Sequence, residues 1–270
     1  MTTTLPANGF RRRPLAALAN AEWLQFRRNK TLVYMATLNP IAVPLVTFFV
    51  LRRNAEPTAA MATLTFELLA LMVLVFVQYY SVLSMVTTRR GEGVLKRLRT
   101  GEATDWQIQV APAVPGAVMT LLCTVVVAIA VYAGGAPAPV NPLAIVVALV
   151  LGTVLFTLLA LATSAYTKNA EAAQITSLPV MIVAMLGMTS IRSILPDRMA
   201  DLADLTPFAA VADLISLGAA GTLPMAAESD ATLTFAGTVT ESGRPFATLA
   251  VWTVLALVLT RRSFRWDDRG

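Results

Sequence analysis

The sequence predicts an all-α, polytopic integral membrane protein with six transmembrane helices. It also predicts an N-terminal amphipathic interfacial helix, short outer helices before the last span, and both termini cytoplasmic. Three observations carry this. Six stretches are long, apolar and nearly free of charge; the basic residues between them fall on alternate sides; and no run of ten-residue alternating segments suggests a spanning barrel.

A hydrocarbon core about 30 Å thick needs about 20 apolar residues at a rise of 1.5 Å each. Spans are expected at 32–51, 61–86, 110–132, 142–166, 172–195 and 245–260, the last charge-free until Arg261 and Arg262. Residues 1–31 then form a cytoplasmic N-terminus, 32–260 the transmembrane domain with an inner loop at 87–109 and an outer segment at 196–244, and 261–270 a cytoplasmic tail. With the termini inside, 16 of the 21 basic residues lie on the inner side. They include Arg11, Arg12, Arg13, Arg27, Arg28, Lys30 and the Arg89 to Arg99 group. Only Arg52, Arg53, Arg192, Arg198 and Arg244 remain outside, where Glu228, Asp230 and Glu241 add to an acidic last outer segment.

Along residues 14–30, Leu15, Leu18, Ala19, Trp23 and Phe26 share one helical face, which suits a helix lying in the inner interface or a plain juxtamembrane extension. Asn39, Pro40 and Pro44 in the first span predict a kinked or locally opened helix, because each proline removes a backbone donor. Glu67 in the second span sits roughly 9 Å from its outer end at the helical rise. An intramembrane carboxylate marks either a substrate path or an ion pair, for which Arg192 stands at similar height. Gln78 is eleven positions on, about three turns, and would extend a polar stripe on that face.

The inner loop is far longer than a turn requires. Val94, Leu95 and Leu98 give a short helix a small apolar face ringed by Glu92, Lys96, Arg97 and Arg99, fit for a groove on a cytoplasmic partner or for anionic lipid heads. After the fifth span, Leu202, Leu205, Phe208, Val211, Leu214 and Ile215 recur at helical spacing among aspartates. Two short amphipathic helices, too polar to cross, are expected against the outer ends of the spans.

Several function classes are excluded or weakened. There is no histidine, which removes the commonest general base and metal ligand, and no metal site is expected. No G-x-x-x-x-G-K-[ST] run occurs, so any driving nucleotide belongs to another chain. A pI near 9.8 follows from the positive-inside bias without nucleic acid, and Cys123, the single cysteine, excludes an internal disulfide. No signal peptide precedes residue 32, so the mature chain is expected to begin near Met1. Arg outnumbers Lys eighteen to three, a bias associated with GC-rich bacterial genomes. A proton-coupled carrier would need titratable groups near the midplane, and a membrane enzyme a cluster of polar residues at one interface; neither pattern is present.

In the inner loop Arg90, Gly91, Glu92, Gly93, Val94, Leu95, Leu98 and Arg99 stand close to an R-E-x-G-T-L-x-x-L-R run, with Gly91 inserted and Val94 in place of Thr. Pro196, Thr206, Pro207 and Asp213 form a proline, then a T-P pair, then a helical segment with Asp. With the entry helix and six spans, this arrangement resembles the membrane subunit of bacterial ABC exporters of the second permease class, which includes daunorubicin-resistance-type efflux permeases. The resemblance implies a permease moving a drug-like, amphiphilic or lipid-like substrate outward across the bacterial cytoplasmic membrane. It also implies a second permease copy, alike or related, and separate subunits that bind ATP and Mg. The 87–109 loop would be the ATPase-coupling element through Arg89, Arg90, Glu92, Val94, Leu95, Leu98 and Arg99, and Lys168 and Glu171 a second inner contact. A membrane scaffold or sensor that binds a cytoplasmic partner without transport is the alternative.

Overall fold

The computed structural model describes residues 14–224 and 231–266. Among the charged residues that set the expected orientation, Arg11, Arg12, Arg13, Glu228, Asp230 and the tail's Arg269 lie outside the described residues. All regular structure among the described residues is helical.

Helix α1 (Pro14–Arg28) leads through Asn29 into α2 (Lys30–Arg52), the first span. The Asn29 side chain accepts a hydrogen bond from Leu32 N at 3.1 Å and so caps α2. Of the two forms expected at its prolines, a kink or a local opening, α2 shows no opening. It continues through Pro40 and Pro44, and the Ala36 carbonyl that Pro40 leaves without its donor receives the Cys123 thiol at 3.7 Å.

The second span joins α3 (Ala59–Leu71), a π-helical stretch (Met72–Tyr80) and α4 (Ser81–Gly91) into one apolar rod of 33 residues. Arg89 and Arg90 therefore sit on the last turn of a span rather than in a loop. Gly93, with φ +68°, reverses the chain into α5 (Val94–Arg99). The third span begins earlier than expected, with α6 (Asp105–Val110), and passes through a short 3₁₀ turn into α7 (Val114–Ala133). What sequence alone reads as a 23-residue loop is thus mostly helix. The fourth span is α8 (Pro142–Ser164), capped by Asn141.

The region expected to cross at 172–195 does so only in part. Helices α9 (Ala172–Thr176) and α10 (Leu178–Leu186) rise about 22 Å together and stop at Gly187. Short α11 (Thr189–Arg192) and α12 (Asp197–Ala203) follow, and the axis then bends by 86° into α13 (Pro207–Ala219). Short helices do precede the last span, but α13 is no outer cap: all its residues are buried, and it packs on α3, α8 and α10. Helix α14 (Phe235–Glu241) leads to the last span, α15 (Gly243–Ser263), which covers the remaining side of α13.

Close approaches at glycine show how deep α13 lies. A Cβ on Gly218 would meet Asn141 and Ile145 at the start of α8, whereas one on Gly152 would meet Val211 and Leu74 halfway down. Pro207 is therefore about 17 Å below Gly218, near the middle of a bundle that α8 makes about 34 Å thick. Gly187 seals this joint, since a Cβ there would lie 2.4 Å from Thr206 Oγ1 and 2.6 Å from Ala209 N. Backbone on one side leaves nothing to yield. Gly187→Val is expected to cost about 1–3 kcal/mol, read as a lowered Tm of the purified protein; an unchanged Tm would show that α10 and α13 are not close-packed.

Candidate functional site

Two groups of polar residues are built into opposite ends of the bundle. The first lies on the face carrying Arg27, Arg28, Lys168, Arg261 and Arg262, the basic face. On the last turn of α4, Arg89 forms an ion pair with Glu22 of α1 and donates to Gln25 Oε1 at 3.1 Å. Arg90 points the other way and donates to Ser164 O at 2.7 Å, Thr167 O, and Lys168 O at 3.4 Å, which are the last carbonyls of α8 and the turn after it. Adjacent arginines thus tie the second span to the entry helix and to the 168–171 turn.

Helix α5 hangs directly from this junction. Leu95 is buried in the protein's own core and Leu98 is half-buried, so the apolar face expected to dock on a partner is already used. Glu92, Lys96, Arg97 and Arg99 remain exposed, and Val94 is half-buried; the free surface of α5 is charged. Arg99 Nε lies 3.3 Å from Asp105 Oδ1, and its guanidinium sits 4.9 Å from the ring centre of Trp266, which meets Phe264 edge-on. The chain beyond α15 therefore rests on α5. Lys168 and Glu171 are exposed beside it on the same face.

The second group lies toward the opposite end. Glu67 is 1% exposed and accepts a hydrogen bond from Thr189 N at 2.5 Å. It makes no ion pair with Arg192, which instead donates to Asp204 at 2.7 Å and to Asp213 at 2.7 Å. Thr189 stands between them, its hydroxyl 3.5 Å from Arg192 Nη2. Arg244, at the start of α15, reaches the second oxygen of Asp204 at 3.6 Å. The break after α10 is thereby latched to α3, α13 and α15, and Trp252 Nε1 adds a bond to Leu205 O at 2.8 Å. Pro196 starts α12, while Thr206 caps α13 by accepting from Ala209 N at 3.3 Å, with Pro207 at its first position.

The expected polar stripe from Glu67 to Gln78 is not present. The π-helical stretch between them has a wider turn than an α-helix, so spacing by α-helical turns no longer predicts a shared face. Gln78 faces α7 and α8 instead, donating to Ala113 O at 3.2 Å and Thr157 Oγ1 at 2.7 Å. It fills the space a Cβ on Gly116 would take.

Glu22, Asp204, Arg244 and Trp266 were not singled out from sequence. Glu22 carried the clearest signal, an acid four positions from both Leu18 and Phe26 on an otherwise apolar face. Asp204 and Arg244 gave none, because their partner is supplied by a break in the fifth span.

The fold combines several apolar helices able to cross a membrane with a half-length helix, a buried bent pair and an arginine-tied polar junction at one face. No curated protein shows significant similarity to the chain. The family model for ABC-2 type transporters, however, matches residues 13–216, from the entry helix through most of α13. This integral membrane protein belongs to the ABC-2 type transporter family and is a permease subunit of an ABC transporter, partnered by an ATP-binding cassette subunit.

Proposed function

We propose that this permease exports a drug-like, amphiphilic or lipid-like substrate from the bacterial cytoplasm. Its basic face would be cytoplasmic, and ATP and Mg would be bound by the partner ATPase. The observation that carries this reading is the junction of Arg89 and Arg90. A push on the charged surface of α5 or on the 168–171 turn passes directly into the second span, the entry helix and α8 without crossing a flexible loop. A second permease copy would complete the pathway. Helix α10 favours this, because it packs mainly on α9, α11 and α13 and leaves Leu178, Ile182 and Met185 uncovered. In this arrangement the Glu67, Arg192, Asp204 and Asp213 latch is a positioning element of the outer half, not a substrate contact.

Expression with the ATPase encoded nearest to it, followed by purification through a tag on the permease, tests this reading. The expected complex holds two permeases and two ATP-binding chains, and reversing charge on α5 weakens it. Recovery of a kinase or regulator in place of the ATPase would favour a scaffold or sensor.

A further inference from the structure

Between α2 and the second span runs a groove with a cavity volume of about 480 Å³. It extends from Asn29 to Val43, about 21 Å along α2, which is more than half the hydrocarbon thickness. Most of its wall is apolar, and three methionines, Met35, Met72 and Met85, supply flexible, adaptable surface.

Two further observations set this groove apart from ordinary lipid-facing surface. Asn39 is exposed in the middle of the first span, and its amide reaches only the Met35 sulfur, at 3.7 Å. A side-chain amide left so poorly bonded in hydrocarbon is costly unless a ligand satisfies it. At the groove's end on the basic face, Arg27, Arg28 and Lys30 are exposed and make no ion pair among the described residues. No Asp or Glu lines the groove, and Glu22 nearby is consumed by Arg89.

We infer that this groove takes an anionic membrane amphiphile. Its acidic head lies at Arg27, Arg28 and Lys30, its tail lies along α2, and its polar linker or an in-chain polar group is met by Ser84 or Asn39. The exporter reading supplies only the direction of transport for such a ligand. Binding is a property of this chain alone and is testable without the ATPase.

The test uses purified permease in zwitterionic phosphatidylcholine nanodiscs. The probes are lysophosphatidylglycerol and lysophosphatidylcholine carrying the same diazirine-bearing chain, with cross-linked peptides located by mass spectrometry. Label from the anionic probe is expected in residues 32–43 and 76–85, exceeding that from the zwitterionic probe by about fivefold or more. Ser84→Trp, which fills the groove, should remove this label for both probes. Arg27→Gln, Arg28→Gln and Lys30→Gln together should bring the anionic probe down to the level of the zwitterionic one. These three exposed changes disturb no packing, so they decide the matter even if Ser84→Trp fails to fold. Equal labelling by the two heads, label spread evenly over the outward faces of α2, α7 and α15, or indifference to the triple change would overturn the assignment and leave bulk lipid only. A missing ATPase partner would count against export without touching this result.

Discussion

Replacing Arg192 with methionine is expected to lower the Tm of the purified permease by about 10 °C. Arg192 is 2% exposed, and its two guanidinium nitrogens hold Asp204 and Asp213. Removing one partner from a buried ion cluster costs about 3–5 kcal/mol, because the remaining charges keep their desolvation penalty without their counterion. At roughly 2–4 °C per kcal/mol for a chain of this size, that is a shift any thermal unfolding assay resolves. Replacing the whole cluster by apolar residues of similar size, with Arg192→Met, Asp204→Leu and Asp213→Leu together, is expected to recover most of the loss, since apolar replacement of a buried cluster is often neutral. Arg244 is 67% exposed and 3.6 Å from its partner, so Arg244→Gln should change little. A triple variant no better than the single one would show that Arg192 acts through its packing instead of its charge.

The second large effect is expected on coupling. Lys96→Glu with Arg97→Glu reverses the free surface of α5 without touching its buried side, so Tm and membrane insertion should stay as they are. Substrate-stimulated ATP hydrolysis by the reconstituted complex should fall about tenfold or more, the scale expected when like charges meet at an interface. Leu95→Asp reports something different. Leu95 belongs to the permease core, and a charge there should unfold α5 and lower Tm. Full coupling in the charge-reversed variant would move the ATPase contact away from α5.

Most of the bundle was legible in the sequence because hydropathy and charge are summed over twenty residues and tolerate local irregularity. Five long spans appear where their apolar runs lie, and the expected fifth span, at 172–195, and the buried α13 show what was harder to read. Helix α13 carries Asp213 and Ser216, which locally argue against a place in the core, yet it is the most enclosed helix of the bundle. Its charge is cancelled by Arg192, twenty-one positions earlier, and its Ser216 hydroxyl by the Thr222 carbonyl at 2.7 Å. Long-range pairing of this kind leaves no periodic trace. Glu67 and Arg192 were brought into the same neighbourhood by their expected heights, but their partners depend on Thr189, which only the break at Gly187 delivers. The leucines of α5 show a different limit: a short apolar face that suits a partner is satisfied equally well by the protein that carries it, as Leu95 is here.

The π-helical stretch of the second span has one more consequence. Above it, Glu67 must face α11; below it, Arg89 and Arg90 must face α1 and the end of α8. A π-helical residue turns the axis by less than the roughly 100° of an α-helical one, so deleting one residue between 72 and 80 would leave hydropathy, charge and span length almost untouched. It would nonetheless change the angle between the two halves of the rod, by an amount set by whether the shortened stretch stays π-helical or rewinds as α-helix, and no single side-chain change could reset all three contacts. The angular setting between the two ends of this permease is therefore stored as a residue count, in a segment whose own side chains are almost all apolar.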